Sequence, residues 1–174
     1  MGEIKIFGYI LIAVVFLTAI VMPLFEMFFI YRERLMLSDA LYNSCRVATE
    51  AGYNYSDIRK IDAIWHDEYF LEAFAKTFAT SFGLDLLDTA PTGAGYILRF
   101  RPNPSNEIYN DFVVTLTIKQ EYDTIDKKTT AEVTAEATSP YRFKHSYMRL
   151  ISESNDKLNY ELASRREYVM TVDN

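Results

Sequence analysis

Few residues in this chain have types and spacing suited to catalysis. A nucleophile needs a base beside it, and the only histidines are His66 and His145. The single cysteine, Cys45, lies among small apolar residues, where a buried and inert thiol is expected. These residues predict no nucleophilic centre.

Metal-binding patterns are equally sparse. His66, Asp67 and Glu68 are consecutive, so on a helix they point in different directions, and the residue four positions after His66 is Phe70. Asp123 and Asp126 lack the spacing of a calcium loop. We therefore predict no catalytic, cofactor or metal site, and a protein that is not an enzyme.

Composition narrows the possible partners. The 174 residues carry a net charge of −6, with Lys and Arg dispersed along the chain. Phosphate binding needs a basic surface, so a nucleic-acid partner is not expected, and no pattern indicates a small-molecule substrate. One cysteine cannot form an internal disulfide.

An apolar run near the beginning of the sequence predicts a membrane helix. Residues 6–25 contain 20 positions without a charge, and a helix of that length is about 30 Å long, the thickness of a bilayer core. A cleavable signal is the alternative, but the following "MFFIYRERL" fits no peptidase site. We assign residues 1–31 to a retained membrane-spanning helix.

The same helix is predicted to continue through residues 32–52, since Gly52 is the first Pro or Gly after Tyr31. Apolar and small residues recur at helical spacing and form one face, with Arg32 and Glu33 mostly off it. This face packs either on the chain's own domain or on other helices. It comprises Leu37, Leu41, Ser44, Cys45, Ala48 and Ala51.

Two residues at the end of the apolar run need an explanation. Pro23 removes a backbone hydrogen bond and should bend the helix. Glu26 has Met22 and Ile30 as its neighbours one turn away, so no cation on its own helix faces it. It lies either among lipid headgroups, beside the aromatic residues 28–31, or against a partner from another chain. The candidate membrane or subunit contacts are Pro23, Glu26, Ala40, Leu41, Ser44, Cys45 and Ala48.

Residues 53–174 are predicted to form a small α+β domain with an antiparallel sheet. Residues 56–83 are expected to be helical in two pieces, with Ser56 as an N-cap and Gly83 as the stop. The second piece carries phenylalanines at a spacing of four, which indicates a core-facing stripe: Phe70, Phe74, Phe78 and Phe82.

Strand patterns dominate after the helices. "TAPTGAG" at 89–95 is expected to be a loop, and "GYILRF" a short strand ended by Pro102 and Pro104. Alternation in 111–123 and 129–139 predicts a hairpin joined at "TIDKK". The C-terminal "LNYELASRREYVMTV" is expected to add one or two short strands or an edge hairpin.

The stretch "ALYNSCRVATEAG", following an apolar helix with a proline, resembles the beginning of TadE-like minor pseudopilins. Ala40, Leu41, Asn43, Arg46 and Ala48 match that family's pattern, and the resemblance covers residues 10–52. It implies a structural subunit of a pilus assembly or secretion system. The implied partners are membrane lipid and other pilin-like subunits or assembly-platform proteins. Where the family has a glutamate five residues after a cleavage glycine, this chain has Phe7 or Ala13.

Two indicators of membrane orientation disagree. Lys5 precedes the apolar run, whereas Arg32, Arg34 and Arg46 follow it, which by the positive-inside rule favours a cytoplasmic domain. The resemblance implies a single-pass protein of the cytoplasmic membrane with its domain outside, and we adopt that orientation. The alternative function is a membrane-anchored extracytoplasmic module that binds an unknown ligand.

Overall fold

The computed structural model describes residues 2–53, 65–104, 109–126, 128–154 and 160–173. Its sheet has five antiparallel strands in the order β1-β2-β3-β4-β5, so each strand pairs with its neighbours in sequence. The predicted α+β class, with a long helix leading into an antiparallel sheet, is confirmed. The elements are α1 Gly2–Gly52, α2 Asp67–Phe82, β1 Leu84–Thr92, β2 Gly95–Pro102, β3 Phe112–Asp123, β4 Lys128–Pro140, α3 Ser146–Ser154 and β5 Glu161–Asp173.

Helix α1 has 51 residues and continues through Pro23, so it is about 75 Å long. Its first half is apolar and exposed; Phe16, for example, is 67% exposed. It is one helix long and apolar enough to span a membrane, with a mean hydropathy of 2.5 over its most apolar stretch, none of which is buried. The long continuous helix expected from the sequence is therefore present.

The second half of α1 belongs to the core of the domain. Leu37, Leu41 and Cys45 are almost completely buried, and α1 packs on β4, β5 and α2. Strand β4 presents small side chains on its inner face, which permits a close approach of helix and sheet. They are Ala131, Ala135 and Ala137, all fully buried.

Helix α2 fills the remaining space with aromatic rings. Its four phenylalanines are buried, and Phe78 lies 5.1 Å from Phe100 on β2 and 5.9 Å from Phe112 on β3, between ring centroids. Gly83 ends the helix in a left-handed conformation at φ 60°, as the sequence predicted. The first predicted helical piece and its cap, Ser56, lie outside the described residues.

The predicted loop at 89–95 is wrong in extent. Strand β1 continues to Thr92, and only Gly93 and Ala94 form the turn to β2. Pro91 is tolerated because β1 is an edge strand, where a missing backbone N–H need not leave a ladder bond unmade. Pro102 is the last residue of β2, where it pairs with Leu84.

The predicted hairpin of β3 and β4 is confirmed in its alternation. Val114 faces Ala137 and Leu116 faces Ala135, and all four side chains are buried beneath the helices. The other face carries threonines and ion pairs, including Lys119–Glu132 at 3.0 Å. One face of the sheet is thus core and the other polar.

The last part of the chain differs from expectation. Instead of one or two short strands or an edge hairpin, β5 is a single strand of 13 residues paired along its length with β4. Helix α3, between β4 and β5, was not predicted, because its nine residues are too few to show a helical repeat clearly.

The β1–β2 hairpin offers a test of this packing. A Cβ atom at Gly95 would overlap the backbone carbonyl of Leu116, whereas one at Gly93 would meet nothing within 4 Å. We expect Gly95→Ala to lower the free energy of unfolding by about 1–3 kcal/mol and Gly93→Ala to change it much less. Denaturant unfolding of both variants in detergent measures the difference, and equal effects would contradict this register.

Candidate functional site

Two acidic side chains are buried where α1 leaves the domain. Glu26 is 1% exposed and Glu33 is 2% exposed. Seven residues make nearly two helical turns, so both carboxylates lie on one face of α1. They are held by Tyr109 and by the segment 141–145, which connects β4 to α3. We call this set of residues the carboxylate clamp.

Glu26 accepts three hydrogen bonds from the segment 141–145. The Tyr141 hydroxyl donates to Oε2 at 2.9 Å, and the backbone N–H of His145 donates to Oε1 at 2.7 Å. The His145 ring nitrogen Nδ1 lies 2.8 Å from the same Oε1. Charge-assisted bonds of this kind offset the cost of burying a carboxylate.

Glu33 is held by a cation and a phenol. Lys144 Nζ lies 2.8 Å from Oε1, and the Tyr109 hydroxyl donates to Oε2 at 2.7 Å. Arg32, the preceding residue on α1, contributes a longer ion pair of 3.5 Å. Both oxygens of Glu33 therefore have a partner.

The aromatic ring of Phe29 lies between the two acids on α1. Lys144 Nζ is 4.8 Å and Arg32 Cζ is 5.8 Å from its centroid, distances typical of cation–π contacts. The His145 ring lies 6.3 Å away, centroid to centroid. The segment 141–145 thus contacts α1 over two consecutive turns by hydrogen bonds, charge and ring contact.

The contacts within the clamp shift the pKa values of Glu33 and Tyr109. Burial raises the pKa of Glu33, but the hydrogen bonds from Lys144 and Tyr109 and the two nearby cations outweigh it, so the pKa lies below its ordinary value of 4.5. Burial and the bond to Glu33 raise the pKa of Tyr109, which keeps its hydroxyl protonated as a donor. At neutral pH the Glu33 carboxylate is therefore a charged acceptor, the Tyr109 hydroxyl is a neutral donor and the Lys144 ammonium is a cationic donor.

The hydrogen-bond partners of Glu26 are not the ones that the sequence analysis considered. Both expectations placed its partner outside the chain, in lipid headgroups or another subunit, whereas the partners lie 115 and 119 residues later in the same chain. Glu33, expected to lie mostly off the packing face, lies on it. The clue was present in the sequence, because Glu26, Ile30, Glu33 and Leu37 continue the buried stripe at spacings of three and four.

Five other candidate contact residues are covered by the chain's own domain. Ala40, Leu41, Ser44, Cys45 and Ala48 are buried in its core, which is one of the two alternatives that the sequence left open. Their contact with another subunit stays a prediction. Pro23 is partly exposed within α1. Burial raises the pKa of the Cys45 thiol to about 12, so the thiol stays protonated and is a poor nucleophile.

One residue considered for metal binding, Asp67, is held by neighbouring side chains. The Asp67 carboxylate accepts hydrogen bonds from Trp65 Nε1 at 2.6 Å and from the Tyr96 hydroxyl at 2.7 Å. In the part of the chain that the structure describes, no group of three or more His, Cys, Asp or Glu side chains is close enough to hold a metal ion. Sequence reasoning missed Glu33, Tyr109, Tyr141 and Lys144, which contact one another only through the fold.

Comparisons with protein-family models, with curated proteins and with solved structures found no match to this chain.

The clamp predicts a specific loss of stability. Replacing Glu33 by Gln removes the ion pair with Lys144, and we expect the free energy of unfolding to fall by about 1–3 kcal/mol. Glu50→Gln is the matched control, because Glu50 is an exposed acid on the same helix and should change it by less than about 0.5 kcal/mol. Denaturant unfolding of the full chain in detergent measures both, and equal losses would argue against the clamp.

The clamp also predicts a dependence on pH. Because the folded pKa of Glu33 lies below the ordinary 4.5, the stabilisation is complete above that value and is lost as the pH falls through the folded pKa. The difference in unfolding free energy between wild type and Glu33→Gln should therefore shrink on acidification. Unfolding curves from neutral to acidic pH measure it, and a constant difference would count against this linkage.

Proposed function

We propose that the protein is a single-pass subunit of a pseudopilin-like assembly, with α1 inserted in the cytoplasmic membrane and the α+β domain outside it. The observation that carries the proposal is the shape of α1. One uninterrupted helix is apolar and exposed in its first half and forms part of the domain core in its second.

The exposed half of α1 requires an apolar partner. Leu11, Phe16 and Leu17 are each more than half exposed, and the neighbouring residues of the run are similar. At about 25 cal/mol per Å² of apolar surface, leaving such a run in water is strongly unfavourable. A bilayer or a bundle of similar helices would cover it. Glu26, the first charge after the run, is covered by the domain, so its charge need not enter hydrocarbon.

The junction supports an assembly role over a simple tether. A tether needs only a flexible link. Here the helix continues into the core without a linker, and the clamp binds it at Glu26 and at Glu33, on two turns. Such a junction fixes the direction of the apolar helix relative to the domain. A fixed direction is useful when many subunits must pack their helices in register.

The resemblance to TadE-like pseudopilins contributes the family and the side of the membrane. Of its matching residues, Ala40, Leu41 and Ala48 are buried on the chain's own domain, whereas Asn43 and Arg46 are exposed on the opposite side of α1. That exposed side is available to neighbouring subunits or platform proteins. The extracytoplasmic orientation depends on the resemblance, since the basic residues after the run favour the cytoplasm.

One observation favours the second candidate, a membrane-anchored binding module. An open groove lies at the end of the domain remote from the clamp, and aromatic and polar side chains line it. A tethered module would bind its ligand there and would use α1 only as an anchor. The lining residues are Trp65, His66, Asp67, Glu68, Tyr69 and Gln120.

A helix exchange separates the two candidates. Residues 6–25 are replaced by a polyleucine span of equal length, while Glu26 and everything after it stay, so the clamp and the core are unchanged. We expect membrane insertion and the domain to be retained but incorporation into the native high-molecular-mass envelope complex to be lost, because the packing surface of the helix is gone. Blue native electrophoresis of the host's membranes measures this incorporation.

The control is a conservative exchange within the same run, such as Leu17→Ile, which should leave incorporation intact. Full incorporation of the polyleucine variant would favour the binding module instead. Protease added to spheroplasts tests the orientation in the same preparations. Digestion of the domain is expected, and protection of the domain until the membrane is lysed would contradict the extracytoplasmic placement.

A further inference from the structure

Helix α3 begins at the carboxylate clamp. The backbone N–H of His145 donates to the Glu26 carboxylate at 2.7 Å, and the His145 carbonyl accepts a hydrogen bond from Arg149 N–H at 3.0 Å. His145 therefore connects Glu26, directly after the apolar run of α1, to the first turn of α3. This arrangement places the start of α3 at the level of Glu26 along α1.

The level of Glu26 corresponds to the headgroup layer of a membrane. Residues 6–25 match a hydrocarbon core of about 30 Å, and Glu26 follows directly. A headgroup layer is roughly 5–8 Å thick on each side, which is about half to two-thirds of the diameter of a helix with its side chains. With α1 inserted, α3 lies beside this layer.

The same end of the domain is rich in cations although the chain as a whole is acidic. Arg32 on α1 is about half exposed, and Arg142, Lys144 and Arg149 are partly exposed around the start of α3. Glu26 and Glu33 are buried in the clamp, where Glu33 pairs with Lys144 and Arg32, and the exposed acid on α3 is Glu153. Although the whole chain has a net charge of −6, the side chains that reach solvent around the start of α3 are therefore mainly cationic. We call Arg32, Arg142, Lys144 and Arg149 the basic collar.

Helix α3 also exposes an apolar side chain beside the collar. Ser152 is buried and Met148 packs partly on the core, whereas Leu150, halfway between them, points away and is 66% exposed. A single exposed leucine is common on protein surfaces. Here it lies on a helix next to four cations and next to the membrane segment, the combination found in helices that bind at a lipid interface.

We propose that the basic collar and α3 form a docking surface for anionic lipid headgroups. The exposed parts of the arginine side chains bind lipid phosphates, Lys144 keeps its ion pair with Glu33 and adds positive charge beside them, and Leu150 enters the boundary between headgroups and acyl chains. Charge complementarity and continuity with the apolar helix identify the bilayer as the occupant. The inference depends on the proposed insertion of α1, but not on the pseudopilin resemblance or on the side of the membrane.

A fluorescent probe near α3 tests the contact. Ser146 is exposed at the start of α3, so Ser146→Cys carries an environment-sensitive label without altering Leu150 or the collar. Cys45 is completely buried and does not compete for the label in the folded protein. The full chain is reconstituted in two sets of vesicles of equal parts phosphatidylcholine and phosphatidylglycerol, one containing lipids with spin labels near the headgroup and the other containing lipids with spin labels deep in the acyl chains.

Two further label sites serve as controls. Leu17→Cys lies in the apolar run and reports insertion of α1, and Ile125→Cys, 90% exposed in the β3–β4 turn, lies at the opposite end of the sheet. We expect the acyl-chain spin label to quench at position 17, the headgroup spin label to quench at position 146, and neither to quench at position 125. Quenching at 17 without quenching at 146 overturns the docking surface and leaves membrane insertion standing. No quenching at 17 overturns both proposals.

The chemical basis of the contact is tested with the label kept at position 146. Leu150→Glu places a charge at the proposed insertion point and should abolish the quenching, while the exposed position leaves folding unaffected. Pure phosphatidylcholine vesicles, or high salt, should reduce the quenching several-fold because the collar loses its anionic partner. Unchanged quenching under all three conditions would mean mere proximity and would overturn the proposal.

Discussion

The structure depends on a requirement for charge compensation. Glu26 and Glu33 are buried on the face of α1 that packs against the domain, and an unpaired carboxylate in such a place costs several kcal/mol. The helix offers only the distant contact of Arg32 to Glu33. The donors must therefore come from elsewhere, and the segment 141–145 supplies most of them. The path of the chain after β4 follows from this requirement.

The remainder of the core is arranged so that α1 can reach this segment. Alanines on β4 bring the helix close to the sheet, and Arg166 on β5 donates to Ser38 on α1, tying a second strand to the same helix. The aromatic rings of α2 fill the wider space over β2 and β3. The long helix α1 therefore packs on small side chains, and the bulky aromatic side chains of α2 pack beside it. In this division α1 packs closely on the sheet, while α2 contributes four buried aromatic side chains to the core.

Local patterns in the sequence determined the elements but not the contacts between distant ones. The apolar run, the phenylalanine stripe ending at Gly83 and the alternation of β3 and β4 are patterns that extend over many residues, and these predictions agree with the structure. The predicted loop at 89–95 includes the end of β1 because Pro91 and two nearby glycines resemble a turn, and only the edge position of β1 makes the proline acceptable. The clamp was not predicted because its two acids and their donors are separated by 76 to 119 residues. A stripe of buried positions that includes two acids was the only local sign of it.

The distance in sequence between Glu26 and its donors also determines the order in which they are synthesised. His145 is made 119 residues after Glu26, which at about 5–20 residues per second is a delay of roughly 6–24 s. Throughout this interval the apolar helix already exists, but the domain that grips it does not. The nascent chain therefore passes through a stage in which Glu26 and Glu33 are solvated by water or held by other factors. The angle between anchor and domain is therefore established late, after strands β1 to β4 and the segment 141–145 have been synthesised.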